Sequence, residues 1–321
     1  MPFLLFLSLS FSSVSFSFII ILMKRILDYT ITNEYKNYTI REFLTEKGYP
    51  KGLRAHLFRT KDVLFRNGDT GHSSDRLKVS DKLKIILEES MPESYPAPEN
   101  IPLSILYEDP YFLAVDKPAG MLVHPSPQKN SGTLANGVLY HLQQSAAGAG
   151  VHPVTRLDRD TFGVVLLAKN ANVHDRFCRL LREKQLEKTY LASVFGHPPQ
   201  DAGEIDLPVY KVGGGSLIRV VDARGQQALT RYRVLETAGQ TALLELHPMT
   251  GRTHQLRLHC MASGFPILGD PQYTGPEAKA YSDAHGLQFQ QLCAARLVFP
   301  HPMTGERIEI CSKQTVFFPK D

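Results

Sequence analysis

Residues 90–100, SMPESYPAPEN, set three prolines among acidic and small polar residues. A stretch with no apolar period has nothing to pack and reads as a linker, so the residues on either side must each close a core of their own. The 321 residues are enough for two such units.

Upstream of the linker, residues 36–89 read as two short helices followed by hairpin strands. Ile40, Phe43 and Leu44 have helical spacing, Leu53, Leu57 and Phe58 supply a second apolar stripe, and Asn67-Gly68 marks a turn. Between Arg41 and Lys84, eleven Lys and Arg stand against six Asp and Glu, an excess of +5, while the whole chain carries only +4. That total is too small for the whole surface to gather a polyanion, so any nucleic-acid contact is local. Lys51, Arg54, Arg59 and Lys61 would present a compact basic face suited to a phosphate backbone, with a solvated helical surface as the alternative.

Residues 1–22, MPFLLFLSLSFSSVSFSFIIIL, are apolar and Ser-rich and resemble a signal segment or a short membrane span. No Lys or Arg precedes the run, no clear small-x-small cleavage site follows before Lys24, and Met23 opens MKRILDYTI like the start of a soluble chain. A mis-assigned upstream start is therefore preferred over an anchor, and no membrane association is expected.

From about Ile101 onward, turns, strand-like runs and occasional helical patterns mix without the regular alternation of a parallel doubly wound sheet. The expectation is α+β with a mostly antiparallel sheet. No G-x-G-x-x-G or G-x-x-x-x-G-K-[ST] loop is present, which counts against a nucleotide cofactor. Cys178, Cys260, Cys293 and Cys311 lie far apart without a Cys-x-x-Cys pair, which argues for a reducing compartment and against a disulfide framework or zinc ribbon.

The densest polar cluster, Thr155-Arg156-Leu157-Asp158-Arg159-Asp160-Thr161, runs through Phe162-Gly163 into an apolar run, 164–168. That run reads as a buried strand, which puts Asp158 at the edge of a core where Arg156 or a distant Arg can hold it ionised. From spacing alone, a charged turn of mutual salt bridges is the simpler account. Asn170 or Asn172 then caps a helix with Val173, Phe177, Leu180 and Leu181 on one face. Residues 188–195 read as a strand with Tyr190, Ala192 and Val194 on one side; Tyr190 could stack on a base, though a core tyrosine is the commoner case.

The second cluster, residues 247–259, reads as a turn into a helix capped by Thr250 or Thr253 and ended by Gly264. His254, Arg257, Leu258 and Met261 then share a helical face. Arg257 could pair with a carboxylate such as Asp158 and aim it as a nucleophile, or simply hold two elements together. His254, His259, Cys260 and Cys293 lack zinc spacing, so no metal is expected, and the absence of Gly-x-Ser-x-Gly argues against serine hydrolysis.

Six segments in order resemble the motifs of the RluA-type pseudouridine synthases, which isomerise uridine in structured RNA. They are LAVDKPAGMLVHPS (113–126), HPVTRLDRDTFGVVLLAKN (152–170), LEKTYLASVFG (186–196), LHPMTGRTHQLRLH (246–259), GFPILGD (264–270) and LVFPHPMTGE (297–306). The similarity covers most of residues 36–310, and the basic segment resembles the small ribosomal-protein-like RNA-binding domain that many members carry in front. The resemblance implies a synthase domain of mostly antiparallel, mixed sheet over residues 101–321 behind a small α/β RNA-binding domain over 36–89.

It further implies that Asp158 is the catalytic aspartate, that Tyr190 stacks on the target base and is a candidate for late proton abstraction, and that Arg257 pairs with the aspartate. Arg156 matches the Arg that helps displace the base from its stack. His254 joins it in binding the base, while Lys51, Arg54, Arg59 and Lys61 serve the RNA backbone. No cofactor is implied; the partner is ribosomal or transfer RNA and the protein a cytoplasmic monomer. The chemistry agrees, since a carboxylate nucleophile needs a fixed cation and a flipped base needs an aromatic face and a pocket.

Three positions depart from the family pattern. Thr155 and Cys293 stand where His is usual, and Phe162 where Ser is usual. Residues 155 and 162 flank the aspartate and so bear on substrate fit and efficiency, and a bulky Phe162 could reshape the base pocket. A non-catalytic RNA-binding protein with the same fold is the rival reading, and the intact Asp158, Tyr190 and Arg257 favour activity.

Overall fold

The computed structural model describes residues 22–49, 51–90, 96–126, 129–144, 150–213 and 218–319. The apolar leading segment lies outside them except for Leu22. Among the described residues no helix is long and apolar enough to cross a membrane.

The first unit is an antiparallel sheet with two helices on one face. Strands β1 (Leu22–Thr30), β2 (Leu64–Arg66), β3 (Asp69–Thr70) and β4 (Lys82–Ser90) take the order β1-β4-β2-β3. Helix α1 (Ile40–Glu46) starts at Thr39, whose hydroxyl accepts the Glu42 N–H while the Glu42 carboxylate accepts the Thr39 N–H. Helix α2 (Lys51–Arg59) follows, and Ile40, Phe43, Leu44 and Leu57 of the two helices share one core with Leu83 and Ile85 of β4. The sheet begins at Leu22 rather than in the expected region after residue 36. In β1, Leu27 and Tyr29 pack on the core while Ile26, 52% exposed, and Asp28 face solvent, a period of two that the adjoining apolar run obscures.

The expected linker is also shorter on its far side. Asn136 Nδ2 donates to the Ala97 carbonyl at 2.7 Å, and the Glu99 carboxylate accepts the Gly132 N–H, so residues 97–99 are fastened to the second unit.

The second unit is built on a ten-stranded sheet. In chain order its elements are β5 (Ile105–Glu108), β6 (Phe112–Lys117), α3 (Leu134–Gln144), β7 (His152–Pro153), β8 (Phe162–Ala168), α4 (Ala171–Arg182), β9 (Glu187–Phe195) and β10 (Ala202–Asp206). A separate hairpin of β11 (Val209–Lys211) and β12 (Arg219–Val221) follows. Then come β13 (Leu229–Ala238), β14 (Thr241–Pro248), α5 (Gln255–Ala262), α6 (Pro276–Ala284), β15 (Leu292–Pro300) and β16 (Arg307–Cys311). The sheet order is β10-β13-β14-β9-β15-β8-β6-β5, with β16 on β15 and β7 on β8.

Every residue of β6 and β8 is buried because both faces of these strands are covered. Leu113, Val115, Val165 and Leu167 face α3, while Phe112, Ala114, Val164 and Leu166 face Val173 and Phe177 of α4. Asn170 caps α4, its side-chain oxygen accepting the Val173 N–H at 3.0 Å. Further along the sheet, Ala192, Val194 and Leu244 meet Leu256 and Cys260 of α5 in a third core.

Among the described residues all strand pairings are antiparallel except one. β8 and β15 run parallel over two pairs, Phe162 with Cys293 and Gly163 with Ala294. Gly163 has φ +105°, and a Cβ there would collide with the Ala294 backbone, so a side chain at this position would force the strands apart. Ala294 also pairs with Tyr190 on β9. The junction therefore brings the loop that precedes β8 beside Tyr190.

Candidate active site

The loop 154–161 carries Asp158 and is pinned at both ends. The Val154 and Thr155 amides donate to the Leu166 carbonyl at 2.8 and 3.2 Å, and the Thr155 hydroxyl accepts the Leu166 N–H at 2.9 Å. At the other end the Arg159 carbonyl accepts from Lys117 Nζ at 2.9 Å. Lys117 is fully buried and donates to the Pro118 and Met121 carbonyls as well, at 3.0 and 2.8 Å. Burial pulls its pKa down to about 7 against the pull of Asp160 and Asp158, and three carbonyl acceptors favour the ammonium form. Gln290 Nε2 donates to the Thr161 hydroxyl, and Arg159 chelates Asp160 at 2.8 and 2.9 Å. Asp158 is the acid of this loop left to face the cavity, 27% exposed.

Arg257 reaches Asp158 from α5. Its Nη1 donates to Asp158 Oδ2 at 3.1 Å, while Nε and Nη2 donate to the two oxygens of Asp270 at 2.7 and 2.9 Å. The Asp270 side chain is fully buried and accepts the Gln272 and Tyr273 N–H groups, each at 2.9 Å. Burial opposes the Arg257 charge, but Asp270 and then Asp158 outweigh it and raise the guanidinium pKa above its usual range. The result is a fixed cation aimed at one oxygen of Asp158.

Helix α5 departs from the expected cap. Its N-terminal residue is His254 in the left-handed region, φ 58°, with neither Thr250 nor Thr253 capping. Thr250 is occupied elsewhere: its hydroxyl donates to Gln255 Oε1 at 2.8 Å and accepts the Leu229 N–H at 3.0 Å. The helix end follows expectation, since the Gly264 N–H donates to Met261 and the Phe265 N–H to Cys260, a Schellman pair that needs Gly264 at φ +87°.

His254 Nδ1 lies 3.0 Å from the Tyr273 hydroxyl and its Nε2 lies 3.9 Å from Asp158 Oδ2. Burial lowers its pKa against the pull of Asp158, so the ring is neutral near pH 7. Tyr190 enters from β9; burial, and then the Asp158 charge, raise its pKa and keep the phenol protonated. Asp158, Tyr190, Arg257, His254 and Arg156 all line one cavity of about 510 Å³, a volume in the range of small-ligand sites. Arg156 is exposed at its edge.

Lys51, Arg54, Arg59 and Lys61 are not in that cavity. They lie on α2 and just beyond it in the first unit, where Lys51, Arg59 and Lys61 are exposed. Arg54 is half-buried and spends Nη1 on the Tyr49 carbonyl at 2.6 Å. Phe162 does not reach the pocket. Phe162 is 7% exposed and packs with Cys293 and Val316 across the parallel junction, and neither Phe162 nor Cys293 lines the cavity. The two departures are neighbours that fill one space. His259 is spent on the Thr230 hydroxyl and the Leu207 carbonyl.

Asp270 and Lys117 were missed as site residues. Both sit inside motifs that carry the family resemblance, at the end of GFPILGD and the middle of LAVDKPAG, and that position was the available signal.

This architecture, a mixed sheet with an ion-paired carboxylate opening into a nucleotide-sized cavity and a basic unit ahead of it in the chain, fits an enzyme acting on RNA. A family model described as RNA pseudouridylate synthase matches residues 111–262. An uncharacterized RNA pseudouridine synthase of Aquifex aeolicus is 34% identical over 294 residues, covering 88% of this chain and 92% of that one. Ribosomal large subunit pseudouridine synthase D of Xanthomonas campestris is 34% identical over 272 residues, 81% of each chain. Among solved structures, human RNA pseudouridylate synthase domain containing 1 aligns with a TM-score of 0.55 at 25% identity, over 70% of this chain and 86% of that one. The chain belongs to the RluA-type RNA pseudouridine synthase family and is an isomerase of uridine in RNA.

Proposed function

We propose that Asp158 is the nucleophile of this isomerase and that its substrate is a uridine in ribosomal or transfer RNA. The observation that carries the reading is the Asp158–Arg257 pair at 3.1 Å, with Arg257 itself held by the buried Asp270. The pair directs one oxygen of the carboxylate, which opens into the cavity that Tyr190 also lines.

The uridine leaves its stack and enters this cavity, helped by Arg156 at the edge, and its base lies on the Tyr190 ring. The Asp158 carboxylate attacks the nucleoside and the bond between ribose C1′ and N1 breaks. The base turns, C5 bonds to C1′, and the carboxylate is released. C5 loses a proton and N1 gains one, so no atom is added or removed and no cofactor is called on. Tyr190 is the candidate for taking the C5 proton. Burial, and then the Asp158 charge, hold the phenol proton in place, so Tyr190 takes the C5 proton only in exchange for its own, which passes to N1. His254 and Arg257 frame the base, the first unit holds the RNA backbone through Lys51, Arg59 and Lys61, and the enzyme works as a monomer in the cytoplasm.

The test is pseudouridine formation in ribosomal and transfer RNA lacking the modification, with wild-type protein and Asp158→Asn. Product with the wild type, at least 10³-fold less with Asp158→Asn, and RNA affinity changed by less than about threefold are the expected results. Turnover by Asp158→Asn sinks the assignment. RNA binding without product from the wild type favours the non-catalytic reading.

A further inference from the structure

Three lysines of the second unit are withdrawn from solvent, and two have their charge answered by the protein. Lys117 gives its ammonium to three carbonyls, and Lys169 donates to the Glu108 carboxylate at 2.7 Å. Lys188 is half-buried on the wall of the cavity, and among the described residues its Nζ has no hydrogen bond or ion pair. Burial lowers its pKa and no carboxylate stands near enough to offset that. A half-buried ammonium on a cavity wall with no counter-charge from the protein is placed to receive an anionic group of a ligand.

The position of Lys188 says which ligand. It lines the same cavity as Asp158 and Tyr190. On β9 it stands two residues before Tyr190, on the same face of the strand, with the two Cα atoms about 7 Å apart. That is the scale of one nucleotide. The base in the cavity carries no negative charge, and Asp158 is engaged by Arg257. The Nζ offers three donors and no acceptor, and the RNA strand brings one anion with every nucleotide.

We propose that the Lys188 ammonium receives a phosphodiester group of the RNA strand next to the uridine in the cavity. The proposal rests on the cavity being the uridine pocket. It makes Lys188 a substrate-binding residue distinct from the basic face of the first unit, and one that acts only when RNA has entered the site.

The test measures RNA affinity against salt for Asp158→Asn protein with Lys188, and with Lys188→Met, Lys188→Gln and Lys188→Arg added. The probes are unmodified ribosomal and transfer RNA transcripts, and the slope is compared on whichever binds tighter. One lost phosphate contact makes log K against log salt shallower by about 0.7–0.9. Between 50 and 200 mM salt the affinity gap between Lys188 and Lys188→Met protein should therefore close about threefold. Lys188→Gln should behave like Lys188→Met, which keeps the test alive should one variant not fold, and Lys188→Arg should keep the parent slope. An unchanged slope in the Met and Gln variants overturns the proposal, as does an affinity loss of equal size at every salt concentration. Binding is read without turnover. If Asp158→Asn protein makes product, the nucleophile assignment falls while the slope comparison still decides the role of Lys188.

Discussion

The Arg257 guanidinium uses three nitrogens, and two of them go to Asp270 rather than to Asp158. This division sets the chemistry. A bidentate pair to a fully buried carboxylate fixes the plane of the guanidinium, so that Nη1 alone is left to address Asp158. Asp270→Asn removes the counter-charge and leaves Arg257 buried beside the half-exposed Asp158. We expect a stability loss of about 3–5 kcal/mol, the usual result of breaking a buried pair from one side. We also expect kcat to fall about 10²-fold as the cation shifts, with RNA affinity nearly unchanged. Denaturant unfolding and single-turnover assays separate the two effects; a variant with wild-type kcat would show that Asp158 does not depend on this clamp. The five cavity residues were legible in the sequence, yet Asp270 was not. Its role arises only when the chain folds back across the Gly264 turn, and apart from its place at the end of GFPILGD nothing in the local pattern distinguishes it from an ordinary turn aspartate.

At the scale of elements, local chemistry was easier to read than long-range pairing. The Asn170 cap, the Gly264 stop and the alternation within β8 each depend on a few neighbouring residues. The parallel contact of β8 with β15 joins Gly163 to Ala294, far apart in the chain, and no periodicity announces it. The same contrast holds in the first unit, where Asp81 fastens distant pieces. Its carboxylate accepts from Arg66 Nε at 2.8 Å, Asn67 Nδ2 at 2.7 Å and the Lys78 N–H at 2.8 Å, tying the β2–β3 turn to the start of β4. Burial raises its pKa, but these donors together win and lower it below the ordinary 3.8. A depressed carboxylate pKa contributes stability that is present above the unfolded value and lost as pH falls through the folded one. Protection of β2 and β4 amides against hydrogen exchange, corrected for intrinsic rate, should therefore weaken from about pH 4 downward. Asp81→Asn should lower protection at pH 6 and flatten that acid dependence. Equal acid sensitivity in the variant would move the effect to another group.

At the scale of the whole molecule, charge and hydrophobic burial are distributed differently. The segment from Arg41 to Lys84 carries +5 against +4 for the entire chain, so the remaining residues together carry about −1. Long-range attraction for RNA must then come from the first unit, whereas specific contacts come from the cavity. The hydrophobic cores of the second unit draw on residues from Leu103 to Val316 and on none from the first unit. The two units touch where the Arg176 guanidinium of α4, donating to the Pro302 carbonyl at 3.1 Å, lies against Gly48; a Cβ at Gly48 would collide with it. That contact adds no residue to either unit's hydrophobic cores. Deleting residues 22–90 should therefore leave the second unit folding cooperatively, with its unfolding midpoint little changed. RNA binding should respond in the opposite way. Lys51, Arg59 and Lys61 are exposed and not engaged within the unit, and loss of two or three such phosphate contacts makes the salt slope shallower by about 2. Affinity should fall most at low salt, and kcat at saturating RNA should hold because no cavity residue is removed. Titration of truncated and full-length protein against the same transcript at several salt concentrations checks this, and coincident slopes would reduce the basic face to a solvated surface.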